Sequence, residues 1–276
     1  MGSKEEEFYT ACESGNLSKV IELLTTQNPN VNWEHSSNLG NHTALHAACL
    51  EEREDVLSYL VTMETIDINC GSDYSALHIG CDIGNESIVK ILLSSKWIKV
   101  NLIDSEGRTP LFVACGDETR ISVLRLLLRD RRTNLNQIIG GEARTVFSQV
   151  CCDGKAQIAR VMLEDARLDV NQPDIYGQTP LWNACCDGNE EIVKILLAGG
   201  REIDTVRKTL SRRREEQDDR REEQDGWIFE SSAVQIARKC GHGRLADLVE
   251  EYAKNPREIR LKLRNELSTF SFLFFC

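Results

Sequence analysis

Five segments of the chain superimpose on one another: GNHTALHAACLEERE (40–54), SDYSALHIGCDIGNE (72–86), EGRTPLFVACGDETR (106–120), EARTVFSQVCCDGKA (142–156) and YGQTPLWNACCDGNE (176–190). Each is anchored by a hydroxyl residue, at Thr43, Ser75, Thr109, Thr145 and Thr179, so the steps are 32, 34, 36 and 34 residues. A second apolar stretch follows each anchor (DVLSYLV, SIVKILL, SVLRLLL, QIARVML, EIVKILL), and then a polar link holding Asn or Asp. A period of this length confines the chain to an array in which every copy is one small supersecondary unit. The anchor hydroxyl suits the cap of a first helix, and Pro110 and Pro180 suit its opening turn. Gly84, Gly154 and Gly188 fall where a left-handed residue ends that helix. The second stretch has an apolar face at helical spacing. No unit buries that face alone, so neighbours must stack.

The segments TALHAAC, TPLFVAC and TPLWNAC, at a spacing near 33 residues, resemble the ankyrin repeat. A degenerate first copy, FYTACESGNLSKVIELL (8–24), and a last copy, SSAVQIARKCGHGRLADLVEEY (231–252), extend the likeness to about nine tenths of the chain. The resemblance implies an all-α solenoid of helix–turn–helix units with short β-hairpin or turn fingers. The units are expected at 4–36, 37–70, 71–104, 105–138, 139–172, 173–205 and 229–255, together forming one array over 1–255. Charged side chains on the two terminal units suit solvent-facing caps.

The period breaks between Thr179 and Ser232, which are 53 residues apart. The extra residues form a charged insertion at 206–228, with seven basic and seven acidic residues between Arg207 and Asp225. Opposite charges four apart predict an exposed helix with almost no apolar face. It reads either as a partner-contacting arm or as a solvated insertion that the array tolerates. Beyond the last unit, residues 256–276 read as a short helix, with Ile259, Leu263 and Leu267 on one stripe, followed by an exposed Phe-rich tail.

Eleven cysteines and five histidines raise the question of a metal. Cys12, Cys49, Cys81, Cys115, Cys151 and Cys185 occupy one equivalent position in six successive units. A row with one thiol per stacked helix cannot converge on an ion, and a free Cys serves there as a small buried apolar group. His46 and His78 fall in the slot whose histidine, in the ankyrin family, hydrogen-bonds backbone across units. Phe112 and Trp182 replace it in the fourth and sixth units, which predicts polar links given up for apolar area. No nucleophile elbow, phosphate-binding glycine loop or HExxH appears, so neither enzyme chemistry nor a cofactor is expected.

The resemblance places partner contacts on the concave side, in the fingers and at the exposed ends of first helices. Carried onto this chain, those positions are Tyr74, Glu106, Arg108, Glu142, Arg144, Tyr176 and Gln178 in the fingers, with Glu51, Asp82, Ile83, Asp117, Asp153 and Asp187 after the repeated Cys. The first six units each have a carboxylate one or two residues after that Cys, beginning with Glu13. Such acids are either helix-end chemistry or a row spaced about 10 Å apart, near one Debye length. With a net charge of -11, nucleic acid and anionic membrane are disfavoured, and a Lys/Arg-bearing protein segment is the natural complement. The acidic start, MGSKEEEFYT, has no apolar leader, and no run is long enough to span a bilayer. The expected protein is therefore intracellular, most simply cytoplasmic with the nucleus as the alternative, monomeric and a protein-binding module. The alternative is a substrate-recruiting adaptor whose 256–276 segment engages ubiquitin-ligase or other machinery.

Overall fold

A computed structural model of the chain describes residues 3–37, 40–71, 74–140, 143–209 and 231–272. Seven helix pairs follow one another: α1 (Lys4–Glu13) with α2 (Leu17–Thr26), α3 (Ala44–Leu50) with α4 (Glu54–Leu60), α5 (Ala76–Ile83) with α6 (Glu86–Ser94), α7 (Pro110–Ala114) with α8 (Ile121–Arg129), α9 (Val146–Cys152) with α10 (Ala156–Leu163), α11 (Pro180–Cys186) with α12 (Glu190–Ala198), and α13 (Ala233–Lys239) with α14 (Gly243–Lys254). A final helix, α15 (Pro256–Phe272), closes the described chain. Short strands mark two fingers: β1 (His35–Ser37) pairs antiparallel with β2 (Gly40–His42), and β3 (Ile138–Ile139) and β4 (Arg144–Thr145) mark the second.

The anchors behave as their chemistry requires. Thr109, Thr145, Thr179 and Ser232 each accept a hydrogen bond from the backbone N–H three residues on, satisfying an orphan donor of the first turn. Two residues past the anchor, Leu45, Leu77, Leu111, Phe147 and Leu181 are all buried. From the second helices come Leu57 and Leu60, Ile88 and Leu92, Leu124 and Leu127, Ile158 and Met162, Val193 and Leu196. These are the apolar positions that no single pair could hide by itself.

The chain divides into two compact bodies, residues 1–134 with 139–141 and residues 135–138 with 142–276. In the first, α1, α3, α5 and α7 pack in succession, and α2, α4, α6 and α8 do the same behind them. In the second, α9, α11 and α13 form the front layer, with α10 and α12 behind. An asparagine in each polar link clamps the next. Asn32, Asn69, Asn101, Asn136 and Asn171 each donate through Nδ2 to one backbone carbonyl and accept through Oδ1 from one backbone N–H about a repeat further on, at 2.7–2.9 Å. Each side chain thereby satisfies two backbone groups that a loop would otherwise leave to water.

Two arginines brace the backs of the helix pairs in a similar way. Arg132 donates to the carbonyls of Ser95 and Leu93 at 2.9 and 2.7 Å, and Arg201 to those of Leu163, Asp165 and Leu168. Gly107 and Gly140 allow two fingers of the first body to touch. The Gly140 N–H donates to the Gly107 carbonyl at 3.0 Å, and a Cβ on Gly107 would lie 2.6 Å from the Gly140 Cα.

The C-terminal segment departs from expectation. Its helix runs on to Phe272 instead of ending near residue 267, so the stretch read as a tail begins as helix. It packs on both α12 and α14, burying Ile259 and Leu263. Arg264 Nε donates to the Ala198 carbonyl at 2.9 Å and Arg260 to that of Arg201 at 3.1 Å, giving the end of α12 the arginine brace that a following repeat would supply. Residues 210–230, which hold most of the charged insertion at 206–228, lie outside the described residues, and the residues on either side of them meet. Thr209 N donates to the Ser231 carbonyl at 3.3 Å, and Ser231 N to Thr209 Oγ1 at 3.1 Å.

Candidate partner-binding surface

The surface begins where each first helix stops. A helix ending in Cys followed by Glu or Asp turns its thiol into the stack and the acid outward. The six-fold Cys row is buried throughout, and burial pushes the Cys12 and Cys185 thiols up to about 12. Glu13, Glu51, Asp82, Asp117, Asp153 and Asp187 are exposed.

In the first body two of the acids are met by cations of the same chain. Asp82 pairs with Arg120 at 2.8 Å, and Arg120 also donates to the Val113 carbonyl. Glu51 lies 3.7 Å from Arg53, whose Nε donates to the Glu13 carbonyl at 2.9 Å. Asp117 accepts from Thr119 N at 2.8 Å and so starts a short 3-10 turn, Glu118–Arg120. That is helix-end chemistry in the strict sense. Ile83, 40% exposed, stands beside Asp82.

The finger residues of the first body form a connected set. Arg108 pairs with the buried Asp104 at 2.8 Å and with Glu106 at 2.9 Å, and its guanidinium lies 5.8 Å from the Tyr74 ring centroid. Tyr74 in turn sits 5.1 Å from the His78 ring, and burial holds its phenol above the ordinary range. His78 accepts at Nδ1 from Ser75 N and so carries its proton on Nε2, which donates to the Arg108 carbonyl at 3.0 Å. The histidine slot thus fixes the backbone on which Arg108 is displayed.

In the second body, Arg144 donates to Cys152 Sγ at 3.2 Å, and Cys152 donates to Asp187 Oδ2 at 3.0 Å. Asp153 takes Gln149 at 2.8 Å and Lys155 at 2.8 Å. Tyr176 and Gln178 are placed by the buried Asp174, whose Oδ1 accepts both of their backbone N–H groups at 2.8 Å. Ile175, between Asp174 and Tyr176, is 52% exposed. Glu142 falls outside the described residues.

One expectation about the histidine slot does not hold. Trp182 keeps the polar link: its Nε1–H donates to the Ser231 carbonyl at 3.0 Å, the residue before the next anchor, just as His78 reaches the residue before Thr109. An indole N–H projects far enough from the helix to stand in for an imidazole. Sequence reasoning also passed over Arg120, the asparagine clamps and the approach of Cys186 to Cys240. The last left one visible sign, since Cys240 stands eight residues after its anchor, where Glu51, Asp117, Asp153 and Asp187 stand after theirs. Among the described residues no group of three His, Cys, Asp or Glu is placed to hold a metal, and no helix is long and apolar enough to cross a membrane.

Stacked helix pairs joined by short fingers, with exposed residues at fixed places in each copy, define a repeat protein of the protein-binding kind. The family described as Ankyrin repeats (3 copies) matches residues 64–139 and 120–209, more than half of the chain, and the chain belongs to that family. Among solved structures, the ankyrin repeat domain of Bcl-3, a member of the IkappaB protein family, is similar with a TM-score of 0.71 at 18% identity, over 87% of this chain and 97% of that one. Similar proteins include SMC5-SMC6 complex localization factor protein 1 of Bos taurus, 35% identical over 129 residues, or 46% of this chain and 11% of that protein. Tyrosine-protein kinase HTK16 of Hydra vulgaris is 36% identical over 93 residues, or 32% of this chain and 12% of that protein. The chain thus spans about a tenth of the length of these curated relatives.

Proposed function

We propose that the chain is a non-catalytic protein-binding module that takes a Lys/Arg-bearing segment of another protein on the first-helix ends and fingers. The observation that carries this reading is the exposed carboxylate repeated at the end of the first helix in six of the seven pairs, at Glu13, Glu51, Asp82 and Asp117 in one body and Asp153 and Asp187 in the other. The intramolecular cations do not argue against it. Ion pairs as exposed as Asp82–Arg120 and Glu51–Arg53 are worth at most about 1 kcal/mol, so a partner's guanidinium or ammonium exchanges with them at little cost. Ile83, Ile175, Tyr74 and Tyr176 supply apolar and aromatic area beside the charges. We place the module inside the cell as a monomer in the absence of its partner. An adaptor reading built on residues 256–276 draws less support, because α15 spends Ile259 and Leu263 on its own docking.

The test is capture of partners by the full chain, followed by titration at rising salt. Asp153 and Asp187 are changed to Asn in one variant, and Glu51, Asp82 and Asp117 to their amides in another. The expected outcome is affinity that falls with salt and falls several-fold more in at least one variant, with the salt slope flattened. Affinity unchanged in both variants would remove the carboxylates from the interface. Capture that needs residues 256–276 instead would favour the adaptor.

A further inference from the structure

The sixth and seventh helix pairs set two thiols side by side. Cys186 is the last residue of α11 and half-buried, while Cys240 caps α13 and is exposed. Their sulfurs are 3.8 Å apart, a non-bonded contact. Because α11 and α13 pack directly on each other, this proximity belongs to two neighbouring helices and not to a loose loop. It also follows a register of the repeat. One step earlier, Cys152, seven residues after its anchor, meets Asp187, eight residues after the next, at 3.0 Å. Cys186 and Cys240 stand at those same two places after Thr179 and Ser232. The diagonal contact that joins a thiol to a carboxylate there joins a thiol to a thiol here.

We propose that Cys186 and Cys240 are a reversible disulfide site, oxidised by a hydroperoxide and reduced by a small thiol, that ties the sixth helix pair to the seventh. The thiolate of Cys240, the accessible sulfur, attacks the peroxide. An S–O bond forms, the O–O bond breaks, and the leaving oxygen takes up a proton and departs as water or an alcohol. The sulfur of Cys186 then attacks the resulting sulfenic acid. The S–S bond forms, the S–O bond breaks, and the Cys186 proton leaves with the oxygen as water. Two thiols lose two electrons, and the peroxide gains them. Two equivalents of a thiol reverse the bond by exchange and leave as their own disulfide. Closing the pair requires the sulfurs to move from their 3.8 Å contact to ~2.05 Å.

The order of events follows from the surroundings. Burial pushes the Cys186 thiol up to about 12, which suits it to the second step and not to the first. Cys152 is held between Arg144 and Asp187, and the six thiols of the row are buried. The cross-link spans the charged insertion, because residues 210–230 lie between the two cysteines. It therefore adds a covalent tie to the non-covalent one between Thr209 and Ser231.

The test is peptide mapping of the full chain after treatment with hydrogen peroxide, under non-reducing conditions, with a non-reducing gel to separate intramolecular from intermolecular bonds. The expected product is a single peptide pair joining Cys186 to Cys240, lighter than its parts by two hydrogens and abolished by dithiothreitol. It should vanish in Cys186→Ser and in Cys240→Ser and persist in Cys152→Ser. The oxidised wild type should unfold at a temperature higher by several degrees than the reduced form, and neither Ser variant should show that rise. A bond from Cys186 to Cys152, a bond found only between chains, or a sulfinic acid on Cys240 beside a free Cys186 would each overturn the proposal.

Discussion

His46 shows what one slot in a repeat can require. Its ring is buried, accepts from Thr43 N at Nδ1, and is kept neutral because burial lowers its pKa to about 4. An unfolded chain binds that proton near pH 6.5, so between pH 6.5 and 4 the unfolded state holds more protons than the native one. Stability is therefore complete above pH 6.5 and declines as pH falls toward 4, with about 2 kcal/mol lost from this group by pH 5. Urea midpoints measured at pH 7.5 and 5 should show that loss in the wild type, and His46→Gln should reduce the difference between the two. Trp182 makes the matching case for a hydrogen bond. Trp182→Phe should cost about 1 kcal/mol in thermal unfolding, with the Ser231 carbonyl left without its indole donor. The anchors and the cysteine row were legible in the sequence because each recurs at one place in six of the seven copies. The Trp182 link was not, because spacing along a chain does not say where the next finger's carbonyl points.

At the scale of elements, the helix pairs were legible for a physical reason. Apolar residues at helical spacing with an anchor hydroxyl in front leave few other ways to bury Leu45, Leu57 and Leu60 or their counterparts. The reach of α15 was not legible. Ile259 and Leu263 announce a stripe, but the sequence does not show that the stripe faces α12 as well as α14, or that Arg264 braces the Ala198 carbonyl. Leu263→Ala should cost about 2–5 kcal/mol by the usual penalty for a buried leucine. Hydrogen exchange should accelerate in α15 and at the end of α12, with α9 unaffected; uniform acceleration through the second body would show that the helix is not a local lid. The candidate surface was legible only as positions. That Asp82 faces Arg120, and Asp153 faces Lys155, depends on which rotamers reach across a turn, and a periodic pattern carries no such information.

At the scale of the whole molecule, the repeats continue on both sides of a long interruption. The copies before and after residues 210–230 keep their register, since α11 packs on α13 and Trp182 reaches Ser231. Replacing 210–230 with a short Gly-Ser link should leave the thermal midpoint unchanged or slightly raised, because Thr209 and Ser231 already meet and a short link costs little entropy to close. A large fall in the midpoint would mean that the removed residues support the stack. The clasp at Thr209 and Ser231 has a consequence of another kind. Thr209 and Ser231 stand 22 positions apart in the chain and yet meet by two hydrogen bonds, so a bridging segment of almost any length can join them. Such a port can accept new length or new composition over evolutionary time, and in the laboratory it is the place to graft a reporter, an epitope or a second domain while the repeats go on holding their shape.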